Sequence, residues 1–309
     1  MFNNSRRDYF HHHRKKKGIM NKNFLVTVSD NTENLKGVTF ICTFFKEESR
    51  HQLALFHISR LDSQDIKGSL LKKWEKDGEE LTIGAKRSLE RAEELIDTSG
   101  ISIDKVLVKT AAEKFGKVKD ILNEGSAGLY DAIILGQRAS YTLQWVFEKP
   151  ADELAQSIIA DSAFYIPLWV CPEVHPDRKN VLVCVDGSES SYRAVDHAGY
   201  ILTNQLQHNI TLFHVRSETD STNMTSIFEE SKKILQEHGI APERITTRPE
   251  WGVNVTKTIL NRVKQDKFAA VALGLHGQPQ GLFKKLNLAG GTTSALISKI
   301  EGASVWCCP

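Results

Sequence analysis

Cysteine is scarce in this sequence, and long apolar runs are missing. The chain has five cysteines in 309 residues, with no C-x-x-C pair and no spacing typical of a zinc site. Such a sparse, odd set argues against a disulfide framework and fits a reducing cytoplasm. No run approaches the roughly 18 apolar residues that span a bilayer. We therefore expect a cytoplasmic protein without a membrane partner.

Motifs of dedicated enzymes are missing as well. The sequence has no Walker G-x-x-x-x-G-K-[ST], no G-x-S-x-G nucleophile elbow and no H-E-x-x-H. A nucleophile or a metal ligand is therefore not visible in the pattern. We predict no catalytic residue and no metal site.

Positive charge is concentrated at the start of the chain. The first nineteen residues carry six Lys/Arg against one acidic residue, whereas the remainder carries 34 against 37. The weakly acidic remainder does not favour nucleic-acid binding. We interpret residues 1–19 as a basic disordered leader, or as the result of a start codon placed ahead of Met20. An arm that binds a polyanion or a metal is the alternative.

An internal repeat organises the chain. N-F-L-V-T-V at 23–28 matches N-V-L-V-C-V at 180–185, and H-Q-L-A-L-F-H-I at 51–58 matches H-N-I-T-L-F-H-V at 208–215, both at an offset of 157. The final match, W-V-C-P against W-C-C-P, has an offset of 137, so the first copy holds an insertion at about 59–85. We predict domains over 20–172 and 180–309, joined by a polar linker over 173–179.

Short β-rich runs alternate with helical patterns in the second copy. The runs cover 181–185, 210–215, 244–247, 269–273 and 304–308. Alternation of this kind is typical of βαβ units around a parallel sheet, and fully apolar strands need helices on both faces. We predict an α/β, Rossmann-like chain of two tandem, open, mostly parallel five-stranded sheets with helices on both faces.

Three helices are assigned from local signals. Ser188 is the predicted N-cap of the first helix of the second copy. A later helix uses Val255, Ile259 and Val263 as core positions. The last helix is predicted to run from Ser294 to Ile300, directly after a Gly-Gly-Thr-Thr segment.

Polar and glycine residues of the second copy follow the ends of its strands, where open α/β sheets bind ligands. A carboxylate there accepts hydrogen bonds from ribose or adenine. Glycines allow phosphate to approach the backbone, and a helix N-terminus favours anions. The candidate binding residues are Asp186, Val215, Leu273, Gly274, Gly277, Gly291, Thr292 and Thr293.

The segments V-D-G-S-E-S-S, L-F-H-V and G-x-x-G…G-T resemble the universal stress protein family, over essentially the whole chain from Met20. The resemblance implies an adenine nucleotide alpha hydrolase-like fold and, in the ATP-binding branch, ATP, with or without Mg, at the candidate residues above. That branch has nine residues between its second and third glycines, whereas twelve separate Gly277 from Gly290 here. Lys284 or Lys285 in this loop is expected to neutralise phosphate charge.

The first copy differs at the corresponding positions. Ser29 stands in place of Asp186, Ala139 in place of Gly277, and residues 153–155 in place of the closing Gly-Gly-Thr, with Asp152 beside them. Acidic residues at a helix N-terminus repel a triphosphate. We therefore expect the first copy to be a degenerate, structural partner.

Paired histidines and tryptophans occupy equivalent strands of the two copies. We interpret His57 and His214 as structural. Trp169 and Trp306 lie in the last strand of each copy, which in the family pairs across the dimer interface. The resemblance therefore implies an intramolecular pseudo-dimer, and we expect Cys307 and Cys308 to pack at its interface instead of sensing oxidation. A further homodimer and an unidentified protein partner stay open.

The leading hypothesis is a cytoplasmic stress-response protein that binds ATP or another adenine nucleotide in its second domain. Its enzymatic activity is expected to be slow hydrolysis at most. One alternative is a nucleotide-free interaction module of the same family, in which the glycines only allow tight turns and Asp186 is a turn residue. An adenylating enzyme of related fold is the other alternative.

Overall fold

The computed structural model describes residues 21–45, 51–59, 81–101, 103–136, 151–160, 165–216, 223–275 and 291–309. In chain order the elements are β1 (Lys22–Thr27), α1 (Lys36–Phe44), β2 (His51–Ser59), α2 (Ile83–Thr98), β3 (Ile103–Ala112), α3 (Lys117–Ala127), β4 (Ala132–Gly136), α4 (Ala151–Ala160), β5 (Leu168–Cys171), β6 (Val181–Cys184), α5 (Glu189–Leu202), β7 (Ile210–Arg216), α6 (Met224–Glu237), β8 (Ile245–Trp251), α7 (Val255–Gln265), β9 (Ala270–Gly274), α8 (Gly291–Lys299) and β10 (Ser304–Cys308). None of the helices in these ranges is long and apolar enough to cross a membrane. The predicted leader and most of the predicted insertion lie outside them.

All of these strands join one sheet in the order β3-β2-β1-β4-β5-β10-β9-β6-β7-β8. The first half of the chain, β1 to β5, therefore has the same strand order as the second half, β6 to β10. Neighbouring strands within each half are parallel, and β5 pairs with β10 in the antiparallel direction. The predicted α/β fold, with two copies of an open, mostly parallel sheet, is confirmed. The exact domain and linker bounds stay a prediction.

Helices cover both faces of the sheet because the strands are apolar on both sides. Successive strand residues point to opposite faces, so Val181 and Val183 belong to one buried cluster and Leu182 to the other. The first cluster includes apolar residues of α1, α2, α5 and α6. The second includes apolar residues of α3, α4, α7 and α8.

Two details of the helix predictions are wrong. Helix α8 begins at Gly291, three residues ahead of the predicted Ser294, so the Gly-Thr-Thr segment is the first turn itself. Val255 is 40% exposed, while Ile259 and Val263 are buried as predicted. Val255 is the first residue of α7, and the first turn therefore extends past the edge of the sheet that buries the later turns.

Strands β5 and β10 and the aromatic side chains around them form what we call the seam. Trp169 of β5 is paired with Trp306 of β10, and the two indole rings stack at a centroid distance of 4.2 Å. Phe40 of α1 packs edge-on against Trp169, and Phe44 packs edge-on against Trp306. Cys307 is fully buried in β10. The seam is thus an apolar core that the two halves share.

Candidate functional site

Three neighbouring strands of the second half end at the same edge of the sheet. β6 lies between β7 and β9 and is parallel to both, so their carboxyl ends meet. Asp186 follows β6, Val215 lies near the end of β7, and Leu273 and Gly274 end β9. The structure therefore brings these four predicted residues to one edge.

Asp186 shapes the turn that leads into α5. Its Oδ1 accepts a hydrogen bond of 2.9 Å from the backbone N–H of Ser188. Ser188 is the N-cap of α5, and its hydroxyl accepts from the N–H of Ser191 at 3.1 Å. Gly187 makes the turn with a φ of +81°, a conformation that L side chains rarely adopt. The carboxylate thus has a local role in the turn, and a carboxylate is a group that accepts several hydrogen bonds.

Gly274 is required by packing. A Cβ on this residue would lie 2.6 Å from Ser190 Oγ and 2.7 Å from the Ser190 carbonyl oxygen, both too close for a real side chain. The end of β9 therefore touches the first turn of α5 backbone to backbone. Any side chain at position 274 would displace α5.

Gly291 has no such packing requirement. Among the described atoms, none lies within 4 Å of a Cβ built on it, and the residue is exposed. It is the first residue of α8, followed by half-buried Thr292 and buried Thr293. The first N–H groups of a helix have no intrahelical partner, so this turn offers donors to an anion. Gly277 lies outside the described residues.

The two halves differ in charge where these helices begin. The first turn of α8 has no acidic residue. Helix α4, its counterpart in the first half, has Asp152 and Glu153 in its first turn. A helix N-terminus carries a partial positive charge that favours anions. The first turn of α8 is therefore suited to an anion by its composition, whereas the sequence of the first turn of α4 contains two acidic residues.

An apolar floor lies beneath the second-half edge, on the face covered by α7 and α8. Cys184, Val215 and Leu273 belong to the buried cluster on this face or pack against it. The start of α7 borders this apolar floor. A Cβ on Gly252 would lie 3.1 Å from both Val215 Cγ1 and Thr258 Cβ. Gly252 and Thr258 are not among the residues predicted from the sequence. A glycine two residues before the N-cap of α7 was the available signal.

Acidic groups lie on the side of this edge next to α5. Burial, and then the carboxylates of Glu230 and Asp186, raise the pKa of Tyr192. Burial and Asp186 likewise raise the pKa of Cys184 to about 12, so its thiol is protonated at neutral pH. The edge therefore has a hydrogen-bond acceptor at Asp186, an apolar floor and the N-terminal turn of α8. This combination suits a ligand with a polar ring system and an anionic end.

The corresponding edge of the first half is occupied by protein. Asp30, in the loop after β1, accepts a hydrogen bond of 2.7 Å from the hydroxyl of Thr82, the N-cap of α2. A Cβ on Gly84 would lie 2.7 Å from the Asp30 carbonyl oxygen. The first turn of α2 therefore rests directly on this loop. Ser29 lies in the same loop, and Ala139 lies outside the described residues.

The paired histidines join neighbouring strands. His57 Nδ1 lies 2.9 Å from the Val28 carbonyl oxygen, and His214 Nδ1 lies 2.7 Å from that of Val185. Both histidines are buried. His57 Nε2 also lies 3.7 Å from Asp30 Oδ1, a carboxylate that the sequence did not place nearby. No cluster of three or more His, Cys, Asp or Glu side chains able to hold a metal occurs in the described part of the chain.

Comparison with protein families gives one match. Residues 177–306 match the model of the universal stress protein family. This range covers the second half except for its last three residues, and it includes every candidate binding residue. No curated protein matches the chain.

Solved structures share the fold over nearly the whole chain. A universal stress protein from Archaeoglobus fulgidus DSM 4304 is 18% identical, with a TM-score of 0.58, and the match covers 93% of this chain and 97% of that one. A functionally unknown protein from Pseudomonas aeruginosa PAO1 is 15% identical, with a TM-score of 0.50, and the match covers 93% and 92%. At these identities the likeness concerns the fold alone.

Proposed function

Since the chain carries a universal stress protein domain in residues 177–306, we propose that this domain binds ATP, or another adenine nucleotide, at the second-half edge. The base and ribose contact Asp186, Val215 and Leu273. The phosphates contact Gly274, Gly277 and the first turn of α8 at Gly291, Thr292 and Thr293. Magnesium accompanies the phosphates.

The contrast between the helices α8 and α4 carries this proposal. Gly291 is exposed at a helix N-terminus, has no packing requirement among the described atoms and has no acidic neighbour in its turn. The equivalent turn of α4 contains Asp152 and Glu153. A phosphate-binding role explains both the glycine and the missing acids, because phosphate needs close backbone approach and an uncompensated helix dipole.

The proposed role is regulatory. Slow hydrolysis is the most activity we propose. Occupancy changes the contacts of a cytoplasmic stress-response protein with a partner. The two halves act together as an intramolecular pseudo-dimer, which the shared seam supports.

Thermal unfolding with and without Mg-ATP tests the proposal. A ligand at about one hundred times its Kd adds roughly 2.7 kcal/mol to the free energy of unfolding. We therefore expect the Tm to rise by several degrees. Asp186→Ala and Gly291→Asp should each abolish the rise. Ser29→Ala, at the first-half counterpart of Asp186, should preserve it.

Three results would contradict the proposal or redirect it. Absence of a shift in the unmodified protein favours a nucleotide-free interaction module. A shift that survives in both Asp186→Ala and Gly291→Asp places the nucleotide elsewhere. Release of pyrophosphate in the presence of an acceptor indicates an adenylating enzyme.

A further inference from the structure

Helix α5 extends from the second-half edge, where we propose that the nucleotide binds, to the first half of the chain. Its N-cap, Ser188, is held by Asp186, and the backbone of Ser190 in its first turn touches Gly274. Its fourteen residues span about 21 Å at 1.5 Å per residue. His197 and Tyr200, in its later turns, both contact residues of the first half.

The contact at His197 is a buried hydrogen bond across the seam. The indole N–H of Trp169 donates to His197 Nε2 at 3.0 Å. Because Nε2 accepts, the imidazole is neutral with its proton on Nδ1. Burial, together with the charges of Lys22 and His238, lowers the pKa of His197 to about 3 against the opposing effect of Asp196. The hydrogen bond is therefore intact at neutral pH.

The contact at Tyr200 lies one turn further along α5. Lys22 Nζ, at the start of β1, lies 3.4 Å from the centre of the Tyr200 ring. Lys22 is only 5% exposed, so this cation–π contact is shielded from water and stronger than an exposed one. The later turns of α5 are thus attached to both β5 and β1 of the first half.

The counterpart helix of the first half makes different contacts. Phe40 of α1 takes the place of His197 at the repeat offset of 157 and packs edge-on against Trp169. Phe44, at the end of α1, stacks on His208 of the second half at 4.0 Å. Helix α1 therefore contacts the second half through aromatic rings and through the Phe44 carbonyl oxygen, which lies 3.2 Å from Gln207 Nε2 and 2.7 Å from His208 Nε2. Helix α1 starts at the edge that α2 occupies.

We propose that α5 couples nucleotide occupancy at Asp186 to the first half of the chain through the Trp169–His197 hydrogen bond, so that the seam sets the affinity of the nucleotide site. This inference rests on the proposed function. Packed interiors transmit strain, and a packed helix shifts as a unit by about 1–2 Å in known transitions. A shift of the first turn of α5 on nucleotide binding therefore changes the contact between His197 and Trp169.

Reciprocity gives the proposal its test. If nucleotide binding strengthens the Trp169–His197 contact, loss of that contact must weaken nucleotide binding by the same factor. We expect the Kd for Mg-ATP to rise about fivefold or more in His197→Leu, a typical coupling magnitude. His197→Gln keeps an acceptor for the indole N–H and should recover most of the affinity. Phe40→Leu disturbs the same tryptophan from α1 and should leave the Kd unchanged.

A spectroscopic readout separates coupling from loss of stability. The indole N–H resonance of Trp169, assigned with Trp169→Phe, should shift on addition of Mg-ATP to the unmodified protein and stay in place in Asp186→Ala. An unchanged Kd in His197→Leu, or an equal rise in Phe40→Leu and His197→Leu, overturns the coupling while the nucleotide site stands. Absence of Mg-ATP binding in the unmodified protein instead overturns the proposed function, and the coupling with it.

Discussion

Two glycines at the candidate site serve different purposes. Gly274 leaves room for the backbone of Ser190, whereas a Cβ on Gly291 would have none of the described atoms within 4 Å. Both look alike in a sequence motif, since each is a terminal residue of a regular element. Only the close approach at Gly274 makes glycine necessary for the fold. The absence of such an approach at Gly291 leaves ligand contact as its proposed reason.

Alanine substitutions should distinguish the two glycines. Gly274→Ala forces α5 away from β9, and overpacking of this kind costs about 1–3 kcal/mol. Gly291→Ala should change stability by less than about 0.5 kcal/mol, the usual range for surface positions. Urea denaturation measures both. Equal destabilisation by the two substitutions would contradict the packing argument.

Cysteines of the two central strands are buried at the seam. Cys171 and Cys307 are fully buried. Burial raises the pKa of Cys171 to about 12 against the weaker opposing effect of Ser304, and burial also raises the pKa of Cys307. Thiolate, the reactive form, is therefore scarce at neutral pH. The expectation that the cysteines of β10 pack at the seam agrees with this burial.

At the scale of elements, helix caps link local sequence to the site. The Ser188 hydroxyl caps α5 through Ser191, while its backbone N–H binds Asp186. Asn223 caps α6 in the same manner through Ser226 at 3.2 Å. The two capping hydrogen bonds are similar in length, at 3.1 and 3.2 Å. The caps differ in position, because α5 begins at the second-half edge next to Asp186.

Cap removal should separate stability from binding. Ser188→Ala and Asn223→Ala should each lower the free energy of unfolding by about 1 kcal/mol. Ser188→Ala should also reduce the Mg-ATP-induced rise in Tm, because the first turn of α5 then frays beside Asp186. Asn223→Ala should retain the full rise. The same loss of ligand effect in both variants would argue that the reduction reflects stability alone.

At the scale of the whole molecule, the seam makes one sheet out of two repeats. Trp169 and Trp306 are fully buried and stacked, and the antiparallel pair β5–β10 joins the backbones. Each tryptophan would lose its stacked ring partner if the two halves separated. We therefore expect the two halves to unfold together.

Trp306→Ala tests whether the two halves depend on the seam for their stability. The substitution should lower the free energy of unfolding by about 3–5 kcal/mol, the typical cost of removing a buried tryptophan. Urea unfolding should remain a single transition in the unmodified protein, with coincident curves from far-UV circular dichroism and tryptophan fluorescence. Two separate transitions in the unmodified protein would show that the halves fold independently.

Acid should lower the free energy of unfolding through protonation of His51. This residue is 2% exposed and packs against Phe24 and Phe45. Burial, and then the charge of Lys22, lowers the pKa of His51 from 6.5 to about 4. The unfolded chain therefore binds the proton first as pH falls. Titration of His51 therefore leaves the free energy of unfolding unchanged above pH 6.5 and lowers it as the pH falls from 6.5 towards 4.

Substitution of His51 isolates this effect. A shift of this size corresponds to about 3 kcal/mol, from about 1.4 kcal/mol per pKa unit. His51→Leu should therefore lose less stability between pH 6.5 and pH 4 than the unmodified protein, by up to that amount. Urea denaturation across this pH range measures the difference. Parallel pH profiles for the two proteins would rule out titration of His51 as a cause.

Much of the fold could be predicted from the sequence because its signals are local or repeated. Apolar runs separated by turn residues gave the strands of the second half to within a few residues, except that β8 extends four residues further than predicted. Ser188 was recognised as a cap because a serine before a helical pattern satisfies exposed N–H groups. The start of α8 was misplaced, since glycine and threonine are weak helix formers.

Contacts between distant segments could not be predicted in this way. Thr82 and Asp30 are 52 positions apart, and no pattern in either segment signals that α2 rests on the loop after β1. Gly252 and Thr258 were missed because their importance comes from packing against Val215 on another strand. Such pairings depend on how complete elements fit together.

The amino-acid sequence by itself determined the repeat, the strand–helix alternation and the asymmetry of residues at the two edges, because periodicity and residue type act locally. Only the tertiary structure decided that the two repeats share one sheet, that Trp169 stacks on Trp306, and that α5 connects the candidate site to the first half. Those features follow from burial of apolar surface between segments far apart in the chain, which no local pattern encodes.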